Sequence, residues 1–149
     1  MKPVTGYSIW LKPTGIVRAK LTCIISQLSD EFKAPKFPYP HVTLFQGLAG
    51  NKLDLISKNF KNLVILIKNI NELRSVHLKA RKIFCSGKIH PPFHLTLLWK
   101  EISKKQRKQI IAKIEKKFNL KFEAKTIYLV IIGNKPEKLI PIKRFYLKK

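Results

Sequence analysis

The sequence predicts one α+β domain of two lobes spanning residues 1–149. Three observations carry that expectation. Strand-like and helix-like hydrophobic patterns are interspersed along the chain. Two strands, at 41–46 and 94–99, share a His-apolar-Thr-apolar frame, each with prolines before it and a helical pattern after it. No linker or low-complexity stretch interrupts the chain, and its length allows a buried core.

The elements follow in order. Residues 4–11 read as a strand, with Tyr7 and Ile9 on one face, Tyr7 toward the core, and Ser8 and Trp10 on the other. Pro13-Thr14-Gly15 turns the chain. Ile16, Val17, Leu21, Ile24, Ile25, Leu28 and Phe32 recur near a 3.6-residue period, predicting a helix over 16–32. Pro35, Pro38 and Pro40 force an extended approach to the first His/Thr strand. Gly47 and Gly50 end that strand, and a short helix is expected from 51 or 52 to 62. Residues 64–67 and 75–80 read as strands, with Phe84-Cys85 as a further candidate. His90-Pro91-Pro92-Phe93 leads into the second His/Thr strand. Ser103 caps a basic amphipathic helix over 104–118, with Ile110, Ile111, Ile114 and Phe118 inward. Residues 122–132 and 140–147 read as closing strands around the turn at Gly133-Asn134.

Composition bounds the function. Lys and Arg total 31 against eight Asp and Glu, a formal charge of +23. Such a chain attracts polyanions and steers anionic ligands inward. Of the basic residues, 26 are Lys spread over nearly the whole length, so the charge is equally compatible with an RNA or nucleotide ligand and with compositional bias. No apolar run approaches the length needed to span a bilayer, and the first residues lack the apolar core of a signal peptide. A cytoplasmic protein without a membrane partner is expected. Cys23 and Cys85 fit no zinc spacing and read as reduced, buried or half-buried thiols. The carboxylates are few and scattered, which argues against a Mg²⁺ or Ca²⁺ cage, so no metal or other cofactor is expected.

The most specific signal is the pair His41-Val42-Thr43-Leu44 and His94-Leu95-Thr96-Leu97. With six Thr in the chain, a given His meets Thr two places on about once in 25 by chance, and here two of four do so. Residues i and i+2 of a strand share a face. Each stretch thus offers an imidazole and a hydroxyl together, anchored by apolar alternates. A duplicated His/Thr pair suits phosphodiester chemistry. One imidazole takes a proton from water, the other gives one to the leaving oxygen, and two hydroxyls hold the phosphate. His77 has no Thr partner and reads as a structural or surface residue; His90 reads as an exposed loop residue.

With these motifs the chain resembles the 2H phosphoesterase superfamily, and within it the cyclic phosphodiesterase branch. The similar stretches are Tyr7 to Leu11, Leu28 to Phe32, Pro35 to Leu44, and His94 to Trp99 with the Lys-rich helix that follows. The resemblance implies two antiparallel sheets with outer helices around a central cleft, related by a pseudo-twofold axis. It implies metal-independent hydrolysis of a 2′,3′-cyclic nucleotide or ADP-ribose 1″,2″-cyclic phosphate. His41 and His94 would be the acid/base pair, Thr43 and Thr96 the phosphate ligands. Trp99 fills the aromatic position after the second motif. Trp99 and Trp10 are candidates to stack on a base, with core packing the competing role for Trp10.

One departure concerns substrate choice. Only 53 positions separate His41 from His94, fewer than in the cyclic phosphodiesterases, which reduces the cleft wall. An open cleft admits longer ligands. Two alternatives therefore stand beside the small cyclic ester: an RNA end, 2′,5′-oligoadenylate or cyclic oligonucleotide as substrate, or a non-catalytic RNA-binding protein. A monomer is expected.

Overall fold

The computed structural model describes residues 6–37, 39–48, 63–68, 71–84, 93–115, 120–132 and 140–147. Among them are six strands: β1 (Gly6–Leu11), β2 (Val42–Leu48), β3 (Leu63–Leu66), β4 (His94–Leu98), β5 (Thr126–Ile132) and β6 (Ile140–Tyr146). Three helices accompany them: α1 (Gly15–Glu31), α2 (Asn71–Phe84) and α3 (Lys104–Glu115). The α+β class stands. The described strands form one antiparallel sheet, ordered β3-β4-β2-β1-β5-β6, where the resemblance implies two. Local alternation marks a strand but not its neighbours. Here β1 pairs with β2 on one side and β5 on the other, joining strands from both ends of the chain.

The α1 helix starts at Gly15, whose φ of +56° is the left-handed conformation that glycine adopts without a Cβ penalty. Leu21, Ile25 and Leu28 form its buried stripe at helical spacing. It ends where Lys33 takes φ +50° and the Ala34 amide donates back to the Ser29 carbonyl at 2.8 Å. Lys36 then reaches back to Asp30 at 2.8 Å, a surface pair that lays the following loop along the helix.

Residues 75–80 are helical, not extended. Leu73, His77 and Ala80 are the buried stripe of α2, and Arg74, Lys79 and Lys82 face outward. The alternation Val76-His77-Leu78 disguised this stripe, because a histidine occupies one of its core positions. Phe84 therefore ends a helix; Cys85, His90, and the expected helix near 51–62 lie outside the described residues. At α3 the Gln106 amide donates to Ser103 Oγ and the Ser103 amide to Gln106 Oε1, a reciprocal capping box. Ile110 is buried and Ile114 half-buried, but Ile111 points outward, since it lies about 100° around the helix from Ile110. Residues 116–118 lie outside the described set. Cys23 is exposed on α1, a correction to the buried or half-buried thiol expected.

The core forms where Val42, Leu44, Leu95 and Leu97 meet Leu21, Ile25 and Leu28 of α1, Leu73 of α2 and Ile110 of α3. Burying each such side chain contributes about 1.5–3 kcal/mol. The apolar alternates of both His/Thr motifs therefore anchor their strands from behind. Tyr7 is 54% exposed instead of facing the core; Ser8 and Trp10 are buried, as are Gly6 and Leu11 at the ends of β1. No helix of the described residues is long and apolar enough to cross a membrane.

Candidate functional site

Val42 of β2 pairs with Leu95 of β4. In an antiparallel ladder one step forward on one strand is one step back on the other. This register sets Thr43 across from His94, and His41 across from Thr96. The two imidazoles thus occupy one diagonal of a four-residue square and the two threonines the other. Diagonal neighbours lie about 7–8 Å apart, a span that tetrahedral phosphate can bridge between two rings. The local twofold axis of the pair exchanges His41 with His94 and Thr43 with Thr96.

A second feature obeys the same exchange. Ile9 pairs with Phe45 but Trp10 with Thr43, so Leu44 is a bulge residue. Leu63 pairs with Leu98 but Val64 with Thr96, so Leu97 is a bulge residue. Both motifs therefore bulge at their fourth position, directly after the threonine. A bulge bends its strand and re-aims the neighbouring side chains. Both bulge leucines are buried and pin the distortion from the core side.

Around His41 the surroundings are built in detail. Trp10 stacks flat on its ring, with centroids 3.5 Å apart and planes 9° apart. Phe37 meets it edge-on at 5.7 Å and continues to Trp99 at 5.9 Å. His41 Nδ1 lies 2.9 Å from the Tyr39 carbonyl. A carbonyl only accepts, so Nδ1 carries the proton and Nε2 is left as the basic nitrogen. Burial pushes the His41 pKa down to about 4; the Tyr39 carbonyl opposes this, and the charges of Lys12 and His94 add to it. His41 is therefore neutral at neutral pH. Thr43 and Thr96 are half-buried and His94 is exposed.

The structure brings His41, Thr43, His94 and Thr96 together on one sheet face. Trp10 sits beside them at 2% exposure, with one face on His41, so burial leaves it no open face for a ligand. Its part is to hold the imidazole. Trp99 is half-buried beside Phe37. The chain matches no protein-family model. A comparison with curated proteins finds no match either.

His77 stands apart from the site. Its Nδ1–H donates to the Leu44 carbonyl at 2.6 Å, the carbonyl of the first bulge, and Phe93 packs edge-on at 5.3 Å. It fastens α2 to β2. Two shallow surface hollows lie on α2, around Arg74 and Lys79, and at the start of α3, around Ser103 and Arg107. Neither is lined by a motif residue.

Sequence reading missed Lys12, Tyr39 and Tyr128. Lys12 is buried, with Nζ 3.8 Å from the Tyr39 ring centroid and 4.0 Å from that of Tyr128. A signal existed: Ser8, Trp10 and Lys12 follow the two-residue strand period, so Lys12 shares the face of Trp10.

Proposed function

We propose that this protein is a metal-independent phosphodiesterase of the 2H type, hydrolysing a 2′,3′-cyclic nucleotide or ADP-ribose 1″,2″-cyclic phosphate. The observation that carries the proposal is the diagonal square of His41, Thr43, His94 and Thr96 set by the β2–β4 register. Support also comes from the matching bulges at Leu44 and Leu97, which make the two motifs structural equivalents.

The roles follow from the surroundings. His41, held neutral with Nε2 bare, is the general base. It removes a proton from water as the water oxygen bonds to phosphorus. The bond from phosphorus to the ribose oxygen breaks, and His94, entering as imidazolium, protonates that oxygen. One water is consumed, a phosphomonoester forms, and solvent returns the two imidazoles to their starting states. A bound phosphodiester anion favours the protonated form of His41, which strengthens it as a base when substrate is present. Thr43 and Thr96 donate hydrogen bonds to the non-bridging oxygens as charge builds.

A second reading has one favouring observation. The same sheet face runs on from Tyr128 to Arg144, its partner in the β5–β6 ladder, and to the exposed Tyr146. A cation and an exposed aromatic beyond the square suit an oligonucleotide strand. Incubation in EDTA with 2′,3′-cyclic mononucleotides, ADP-ribose 1″,2″-cyclic phosphate, 2′,5′-oligoadenylate and cyclic dinucleotides decides between them. Turnover of the small esters is the expected result. Turnover of oligomers alone moves the substrate to the second reading. Salt-dependent RNA binding without any turnover removes the enzymatic proposal.

A further inference from the structure

Lys12 is a buried cation with no carboxylate partner among the described residues. It is 9% exposed and held between the rings of Tyr39 and Tyr128. Cation–π contacts offset part of the cost of burying an ammonium, but rings do not neutralise it. Buried charges are ordinarily paired, and an unpaired one works against folding. Its position suggests why it is kept. Leu11 pairs with Val42 on one side and with Ile127 on the other. One step further along both ladders sets Lys12 across from His41 and across from Thr126. The buried cation therefore borders the base of the proposed reaction, on the same sheet face.

We propose that Lys12 is the built-in countercharge of the site, receiving the negative charge of the substrate phosphate between His41 and His94. The proposal rests on the phosphodiesterase reading for the place of the anion. The charges match the chemistry. The substrate diester carries one negative charge, and the pentacovalent transition state carries about two. An imidazolium at His94 and an ammonium at Lys12 supply two positive charges. Tyr39 and Tyr128 hold the ammonium in place without cancelling it, as a carboxylate would. The neutral His41 adds no competing positive charge in the resting state. Burial, then the nearby Arg18 on α1, lowers the Lys12 pKa to about 8, so the amine stays mostly charged at pH 7. The groups that meet it are thus Tyr39 from the loop before β2, His41, Tyr128 of β5 and Arg18 of α1, with no acid among them.

Inorganic phosphate is the probe, because its binding is read without turnover. Wild type, Lys12→Met and Lys12→Gln are titrated with phosphate at pH 7 by nuclear magnetic resonance, and their melting temperatures and kcat/KM are recorded. Both substitutions remove the charge and leave a side chain one atom shorter than lysine, one apolar and one polar, so a packing fault in one leaves the other to decide. Phosphate affinity is expected to fall at least about tenfold and kcat/KM about a hundredfold. Melting temperature is expected not to fall, since a buried charge with no carboxylate partner among the described residues is removed. Unchanged phosphate affinity in either folded variant overturns the proposal, as does a wild type that binds no phosphate. A wild type that binds phosphate through Lys12 but hydrolyses no ester leaves the anion site standing and removes the enzymatic reading instead.

Discussion

The indole of Trp10 lies parallel to the imidazole of His41, 3.5 Å between ring centroids, while the Tyr39 carbonyl holds His41 Nδ1 from the side. Stack and hydrogen bond together fix both the plane and the tautomer of one imidazole. Trp10→Phe keeps an aromatic surface but leaves a gap. Stability is expected to drop by about 1–3 kcal/mol and kcat by about tenfold, with KM nearly unchanged. Steady-state kinetics beside urea denaturation measure both. A change confined to KM argues that Trp10 touches substrate instead.

The threonines are tested by a swap that preserves shape. Thr43→Val and Thr96→Val remove the hydroxyl and leave the strand and its bulge in place. Each is expected to lower kcat about 10–100-fold with little change in stability. Because the twofold of the β2–β4 pair relates the two positions, the losses are expected to be similar. A variant of full activity removes that threonine from the phosphate site.

His77 separates structural from chemical histidine. Replacing it with Phe leaves the Leu44 carbonyl without its donor in a buried place, at a cost of about 1–3 kcal/mol. Turnover of the folded protein is expected to be unchanged. Loss of kcat without loss of stability contradicts the structural assignment.

The folded state holds His41 near pKa 4, against about 6.5 in an unfolded chain. As pH falls, the unfolded chain binds this proton first. The stability tied to a neutral His41 is therefore complete above about pH 6.5 and is lost as pH falls through about 4, amounting to at most about 3 kcal/mol. His41→Gln cannot titrate. Urea denaturation at pH 7 and at pH 4 is expected to show a larger loss in wild type than in the variant. Equal losses contradict a ring held neutral in the fold.

The legible parts of this fold were those written locally. The His/Thr frames mark β2 and β4, the apolar spacing marks α1, and Ser103 marks the start of α3. The helix at α2 was hidden because His77, a polar residue by type, fills a core position. The number of sheets was hidden because β1 joins strands that begin at residues 42 and 126, a pairing no local pattern records. Lys12, Tyr39 and Tyr128 are likewise far apart along the chain and become neighbours only when β1 pairs with β2 on one side and β5 on the other. The local patterns stated what each motif offers; long-range register decided how the motifs face each other.

The central claim is that His41 and His94 act on one phosphorus atom, one from each strand of a single antiparallel pair. The most direct measurement is kcat/KM for a 2′,3′-cyclic nucleotide, in EDTA, for wild type, His41→Ala, His94→Ala and the double variant. Each single change is expected to cost about 10²–10⁴-fold, and the double variant to be little worse than either, as for groups acting as a unit. Single variants that both retain wild-type turnover contradict the claim.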